Sequence, residues 1–192
     1  GVVENYNPRD YLVDKFYPEP TERKIYEAVF GSPEWQLLDL GVLSWREASE
    51  IFLQRGRDND VAFEMLSVLE EWTDLLTTRK ATVTLMRLLK KKGFDLYYLS
   101  NISQYALDEL VTRDFWPMFN GGVASCEAGV NKPDPEIYRL LLKKYGLVPQ
   151  ETIFTDDNKD NASSAFQAGI TGIHFLDVKS LCKMLVTYGI DV

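Results

Sequence analysis

Apolar positions in the first third of the chain recur at helical spacing. Asn7-Pro8 reads as a cap followed by proline at the first helical position, with Leu12, Val13 and Phe16 as a short apolar face. Thr21 can cap a second helix that carries Ile25, Tyr26, Val29 and Phe30 and ends at Gly31. Ser32-Pro33 repeats the cap-plus-proline signal, and Gly41 closes that segment. Ser44-Trp45-Arg46-Glu47 fits a capping box, because the cap hydroxyl and the glutamate three residues later can satisfy each other's backbone amides. Val61, Met65, Leu66 and Leu69 mark one more amphipathic helix. Nothing up to about residue 76 reads as a strand, so short helices with short connections predict a small bundle.

The pattern then changes. A helix over Ala81 to Lys92, with Val83, Met86 and Leu89 inward, stops at Gly93, and residues 94–99 read as a strand. A helix from about Gln104 to Val111 follows, then turns around Asn120-Gly121-Gly122 and a short strand Val123-Ala124-Ser125. Asp134-Pro135 opens a helix with Ile137, Leu140, Leu141 and Tyr145 inward, closed by Gly146. Thr152 to Thr155 is an apolar strand, Asn161 to Ala168 a helix closed by Gly169, and Ile170 to Phe175 a last strand. Alternating strands and helices predict an α/β fold with a doubly wound, Rossmann-like parallel sheet covered on both faces. Ligands in such sheets bind beyond the carboxyl ends of the strands. That rule brings Ser100-Asn101 and Asp156-Asp157 to one edge.

Composition narrows the function classes. The chain has 192 residues, a formal net charge of -8 and one histidine. Phosphate neutralisation on nucleic acid needs clustered lysine and arginine, so no nucleic-acid partner is expected. No apolar run approaches the ~18 residues that span a bilayer, so no membrane partner is expected. No cationic-then-apolar leader is visible. Cys126 and Cys182 lack metal-type spacing and read as two reduced, buried thiols of a cytoplasmic protein. Oligomeric state is not legible, because amphipathic patterning does not separate a core face from an interface face.

Each candidate residue has a functional and a bland reading. Two adjacent carboxylates at a strand end suit Mg²⁺, which takes hard oxygen ligands and relieves their repulsion. Alternatively, one of them caps the next helix and the other faces solvent. Ser100 and Asn101 can donate a hydroxyl and amide hydrogens to an anion, or can form an ordinary turn. Lys132, between Asn131 and Pro133-Asp134-Pro135, is a flexible cation in a rigid bracket, suited to a phosphate or simply solvated. His174 reads as a packed or edge residue. Trp35, Trp45, Trp72 and Trp116 read as core packing by default.

The order of these signals is more specific than any one of them. The segments YYLSN (97–101), GVNKPDPEIY (129–138) and TIFTDDNKDNASSAFQAGI (152–170) resemble the haloacid dehalogenase-like hydrolase superfamily. The helical first part is similar to that superfamily's small helical cap. The resemblance divides the chain into residues 1–6 following a first core strand, a cap at 7–76 and an α/β core at 77–192. It implies that Ser100 binds the phosphoryl group with Asn101 helping, and that Lys132 holds phosphate and nucleophile together. It implies further that Asp156 and Asp157 anchor Mg²⁺ and that Asn161 supports them. On this basis Ser100, Lys132 and Asp157 are the expected catalytic residues. The double aspartate favours the phosphatase branch, where the chain looks most like small-cap sugar-phosphate phosphatases.

The superfamily's chemistry begins at an apolar strand ending in Asp-x-(Asp or Gly)-Gly, whose first aspartate becomes phosphorylated. Gly1-Val2-Val3 resembles the residues immediately after that motif, which puts the expected nucleophile three positions before Gly1. Asp10 and Asp14 lie in helical pattern and Glu4 comes after only three residues, so none of them replaces it. The implied function is a Mg²⁺-dependent phosphomonoester hydrolase acting on a small phosphorylated metabolite such as a sugar phosphate. The alternatives are a metal-independent 2-haloacid dehalogenase, a non-catalytic binder of phosphate ligands, and an interaction protein that works through its helical half.

Overall fold

The computed structural model describes residues 1–192. Five helices fill the first part: α1 (Pro8–Asp14), α2 (Glu19–Ala28), α3 (Pro33–Asp39), α4 (Trp45–Asp58) and α5 (Ala62–Glu71). Their ends follow local chemistry. Asn7 and Ser32 cap α1 and α3 through their side chains, and Ser44 and Glu47 form the full capping box on α4. The expected cap at Thr21 is displaced. Helix α2 starts at Glu19 after Pro18, because Pro20 sits in the first turn, where its missing N–H costs nothing. The apolar face of α1 also shrinks to Leu12. Val13 is exposed, and Phe16 leaves the helix with φ 58°.

The expectation of no strand before residue 76 is corrected. β1 (Glu4–Asn5) pairs antiparallel with β2 (Thr77–Thr78), tying the entry of the helical layer to its exit. A two-residue ladder carries no period for a sequence reading to detect. The apolar side of the helical layer, with Phe52, Met65 and Trp72, packs as one cluster with Ile102, Ala106 and Leu107.

Beyond β2 the chain alternates: α6 (Lys80–Lys91), β3 (Tyr97–Ser100), α7 (Gln104–Leu110), β4 (Gly121–Ala124), α8 (Ser125–Ala128), α9 (Pro135–Tyr145), β5 (Ile153–Asp156), α10 (Lys159–Ser164), β6 (Thr171–His174) and α11 (Val178–Thr187). All pairing in this half is parallel. β3 runs beside β4 with Ser100 opposite Ala124, and β5 beside β6 with Asp156 opposite His174. This is the expected α/β parallel architecture, but it comes as two separate half-sheets.

Several strand boundaries move. Residues 94–96 are not strand, because Asn120 already holds Leu96 at both its N–H (3.1 Å) and its carbonyl (2.7 Å). β4 starts two residues early, at glycines that β-propensity disfavours. A side chain at Gly122 would run into Tyr98, and the Tyr145 hydroxyl binds its N–H (2.8 Å) and carbonyl (3.0 Å). Ser125 leaves the strand and opens α8. The helix expected from Asn161 to Ala168 begins at Lys159 and tightens into a 3₁₀ turn after Ser164. Helix α11 was not expected at all, although Asp177 caps it through Ser180 N–H (2.7 Å) and Leu181 and Leu185 form its apolar face.

β3 and β5 do not pair with each other, so each keeps one free edge. A cavity of about 850 Å³ touches both. Leu85 and Leu89 of α6 and Leu181 and Leu185 of α11 line its apolar end. Gly1, Val2 and Val3 line it too.

Gly172 lets β6 sit directly on α10. A Cβ there would fall well inside van der Waals contact with the Ala162 carbonyl. Gly172→Ala should lower stability by about 1–3 kcal/mol through backbone displacement. Urea denaturation at constant slope measures it, and a change under about 0.5 kcal/mol, the ordinary range of a neutral substitution, would mean the two elements separate freely.

Candidate active site at the strand ends

The parallel strands deliver the expected residues to one edge. Ser100 is the last residue of β3 and Asp156 the last of β5, so both lie within their strands rather than after them. Lys132, in the loop ahead of α9, reaches between the two. Its ammonium donates to the Leu99 carbonyl of β3 (2.7 Å) and to Asp156 Oδ2 of β5 (2.6 Å). Both side chains are under a tenth exposed. The Lys132–Pro133 peptide is cis.

Asn101 fixes the loop that carries this lysine. Its Nδ2 donates to the Lys132 carbonyl (2.9 Å), and its Oδ1 accepts the Lys132 N–H (2.8 Å). One amide hydrogen of Asn101 therefore holds protein, and one is left for an anion. The Ser100 hydroxyl has only a 3.4 Å contact, to the Asn101 carbonyl. It is free to turn toward a ligand.

The two adjacent aspartates differ. Asp156 is buried, and its Oδ1 accepts Asn158 N–H (2.8 Å) and Asn161 Nδ2 (3.2 Å), while Oδ2 takes Lys132. Asn161 thus meets the carboxylate it was expected to support. Asp157 has a half-exposed side chain. Neither aspartate caps α10. Asn158 does, accepting from Asp160 and Asn161 N–H. The helix cap expected in the bland reading is therefore Asn158, while Asp157 faces solvent as that reading has it.

No cluster of three or more His, Cys, Asp or Glu side chains is suited to a metal. Asp157 is accessible, and Asp156 has three of its roughly four acceptor positions occupied. That donor set fits an ion such as Mg²⁺, which takes one or two carboxylates and completes its shell with water and phosphate oxygens. His174 is exposed, its Nε2 3.0 Å from the Asp157 carbonyl, an edge residue as expected. Cys126 and Cys182 are both free thiols, half-buried rather than buried.

Two residues at this edge escaped the sequence reading. Ser125, fully buried, accepts the Ile102 N–H (2.9 Å) and donates to the Asp39 carbonyl of α3 (2.5 Å), joining the strand edge to the helical layer. Its only sequence signal was its place after an apolar strand. Asp39 itself lines the cavity, and burial pushes its carboxyl up to about 7. It has no sequence signal, since in α3 it looks like a surface acid. Trp35 and Trp72 also line the cavity, beyond the packing role expected of them.

A family model described as haloacid dehalogenase-like hydrolase matches residues 3–169. A sesquiterpene phosphatase of Aspergillus oryzae is 28% identical over 187 residues, covering 96% of this chain and 90% of that protein. A flavin mononucleotide hydrolase of Arabidopsis thaliana is 27% identical over 179 residues, covering 86% and 70% respectively. Among solved structures, a haloacid dehalogenase family enzyme of Bacteroides thetaiotaomicron superposes with TM-score 0.70 at 22% identity, covering 94% of this chain and 93% of that one. The same enzyme, solved with magnesium and inorganic phosphate, gives TM-score 0.66 at 20% identity, covering 94% of each. No helix of this chain is long and apolar enough to cross a membrane.

Lys132→Met strands a buried carboxylate and should cost about 3–5 kcal/mol at pH 7, whereas Lys132→Met with Asp156→Asn should recover at least half of that. Urea titration of the three proteins measures it. A single variant within about 1 kcal/mol of wild type, the range of a solvated pair, would show that water reaches these groups.

Asp39 gives a pH prediction. Its carboxyl rises from 3.8 to about 7 on folding, so the folded state holds a proton that the unfolded chain has released. Stability attributable to Asp39 should therefore fall between about pH 4 and pH 7, by at most about 1.4 kcal/mol per pH unit, and level off above. Tyr6 and Cys126 feel its charge and lose protons only above that window. Asp39→Asn should flatten the slope. Melting temperatures of both proteins at pH 5 and pH 8 decide it, and parallel slopes would refute it.

Proposed function

We propose that this chain, which belongs to the haloacid dehalogenase-like hydrolase family, is a Mg²⁺-dependent phosphomonoester hydrolase acting on a small phosphorylated metabolite. One observation carries the reading: Ser100, Lys132 and Asp157 line the same cavity, with Lys132 held by Asp156 and Asp156 held by Asn161. The phosphatase relatives support it.

Each residue has work suited to its geometry. The Ser100 hydroxyl and the remaining Asn101 amide hydrogen donate to phosphoryl oxygens. Lys132 has three N–H groups and two protein partners, so the third points its charge at the phosphoryl group. Asp157, with the spare acceptor capacity of Asp156, would hold Mg²⁺, which supplies further neutralisation when bound. Asn161 acts as a positioning residue through Asp156, and Asn101 also clamps the loop that carries Lys132.

The attacking carboxylate in this reading sits on an extended segment in the slot between β3 and β5, its carboxyl end beside Lys132. The free edges of both strands and the unpartnered Thr155 hydroxyl support that placement. A carboxylate oxygen bonds to phosphorus as the ester P–O bond breaks, and the leaving oxygen takes a proton from solvent water to depart as the alcohol. A water oxygen then bonds to phosphorus and gives its proton back to solvent as the carboxylate–phosphorus bond breaks, releasing inorganic phosphate and the free carboxylate. Residues 7–76 act as a cap over 77–192, closing on the substrate and excluding water.

Titration calorimetry with inorganic phosphate, with and without Mg²⁺, tests the reading. Binding should require Mg²⁺. Asp157→Asn should weaken Mg²⁺ at least tenfold, and Ser100→Ala should weaken phosphate by about 10–150-fold, the loss of one hydrogen bond to a charged group. Unchanged Mg²⁺ affinity in Asp157→Asn would refute the metal role. Turnover of a 2-haloacid that survives EDTA would point to the dehalogenase instead.

A further inference from the structure

The cavity continues past the strand-end groups toward the helical layer, and there its wall becomes aromatic. Tyr6, Trp35 and Trp72 line it, with Leu76, Ile102 and Ala106. Trp35 and Trp72 meet edge to face, centroids 5.0 Å apart at 80°. Trp45 stands against both, at 6.3 Å and 5.5 Å, and Tyr105 stacks on Trp45 at 5.0 Å and 21°. Interlocked rings of this kind leave the wall little freedom to move.

The polar groups of the helical layer that line the cavity are few: the Tyr6 hydroxyl, Glu4, whose Oε1 accepts from Thr78 and whose Oε2 is unpartnered, Ser103, Asp39 and the Trp72 indole. Ser103 is committed to capping α7 through Ala106 N–H. Asp39 carries a carboxyl that burial alone perturbs. The Trp72 indole N–H is buried without a partner. A group rich in hydroxyls would surrender several hydrogen bonds to water here and regain few. A hydrocarbon or aromatic group would surrender none.

We infer that the organic part of the substrate is apolar, an aromatic or hydrocarbon group seated against Tyr6, Trp35 and Trp72, rather than a sugar. The inference rests on the phosphate-site reading given above and adds the substrate class. It makes Trp35 and Tyr6 specificity residues. They touch the leaving group and not the phosphoryl group.

Non-hydrolysable phosphonates separate the contributions in Mg²⁺ buffer by calorimetry. Methylphosphonate reports the head alone, (1-naphthyl)methylphosphonate adds an apolar group, and the phosphonate analogue of glucose 6-phosphate adds hydroxyls. The naphthyl compound should bind at least tenfold more tightly than the other two. Trp35→Ser should remove that advantage and leave methylphosphonate unchanged. Tyr6→Ser, at a partly exposed position, should reduce it and serves if Trp35→Ser does not fold. Leu89→Gln, at the opposite, apolar end of the cavity, should change neither. Equal affinity for all three compounds would overturn the inference and leave the phosphate site standing. So would an advantage lost in Leu89→Gln but kept in Trp35→Ser, because the naphthyl group would then lie in the slot between the half-sheets. Absence of binding by any of the three would overturn both readings.

Discussion

A buried ammonium holds the two halves of the α/β part together at their functional edge. Lys132 takes the Leu99 carbonyl of β3 and the Asp156 carboxylate that ends β5 at once. The two half-sheets share no backbone ladder, so this contact is a direct polar bond between their strand ends. Burying two charges is costly unless each is fully paired and hydrogen-bonded. The surroundings meet that condition: Asn101 clamps the lysine's own peptide groups, and Asn158 and Asn161 complete the carboxylate. The result is a cation whose position is set before any ligand arrives. Preorganised charge is what anion binding and phosphoryl chemistry require.

From that contact the cavity extends in two directions with different chemistry. One way lies the slot between β3 and β5, walled by leucines and bordered by unpaired strand edges. The other way lies the aromatic wall of the helical layer. The polar waist between them holds the hydroxyl, the amide, the ammonium and the exposed Asp157. A phosphate ester has the same layout, with a doubly charged head and an organic tail. Ser125 and the β1–β2 ladder keep the two layers in register, through the Asp39 carbonyl on one side and the entry and exit of the helical layer on the other. The cavity wall is therefore made from segments far apart in the chain.

The parts legible in the sequence share a physical reason. Caps at Asn7, Ser32, Ser44 and Asp134 were readable because a side chain binds a backbone amide two or three residues away. The alternation of strands and helices was readable because short apolar runs alternate with amphipathic segments bounded by caps and glycines. The strand-end groups Ser100 and Asp156-Asp157 were readable because a parallel sheet puts like ends at one edge. The errors have causes as local. β4 begins at two glycines because a tyrosine ring needs the space, which no propensity scale contains. Residues 94–96 leave the strand because Asn120, over twenty residues away, takes their hydrogen bonds. Helix α11 was passed over although its cap and its Leu181–Leu185 pair were present in the sequence.

The sequence by itself determined the fold class, the order of the elements and which residue types stand at the strand ends, because these depend on periodicity and on neighbours close in the chain. It left the roles within the site open. Two adjacent aspartates are chemically identical on paper, and only the packing makes one a buried partner of Lys132 and the other an exposed carboxylate at the rim. Trp35 reads as a core ring, and Asp39 carries no signal in the sequence. Tertiary structure turned both toward the cavity and lifted the acid's pKa to about 7. Electrostatic environment and cavity shape are sums over atoms brought together from the whole chain, and no local stretch contains them.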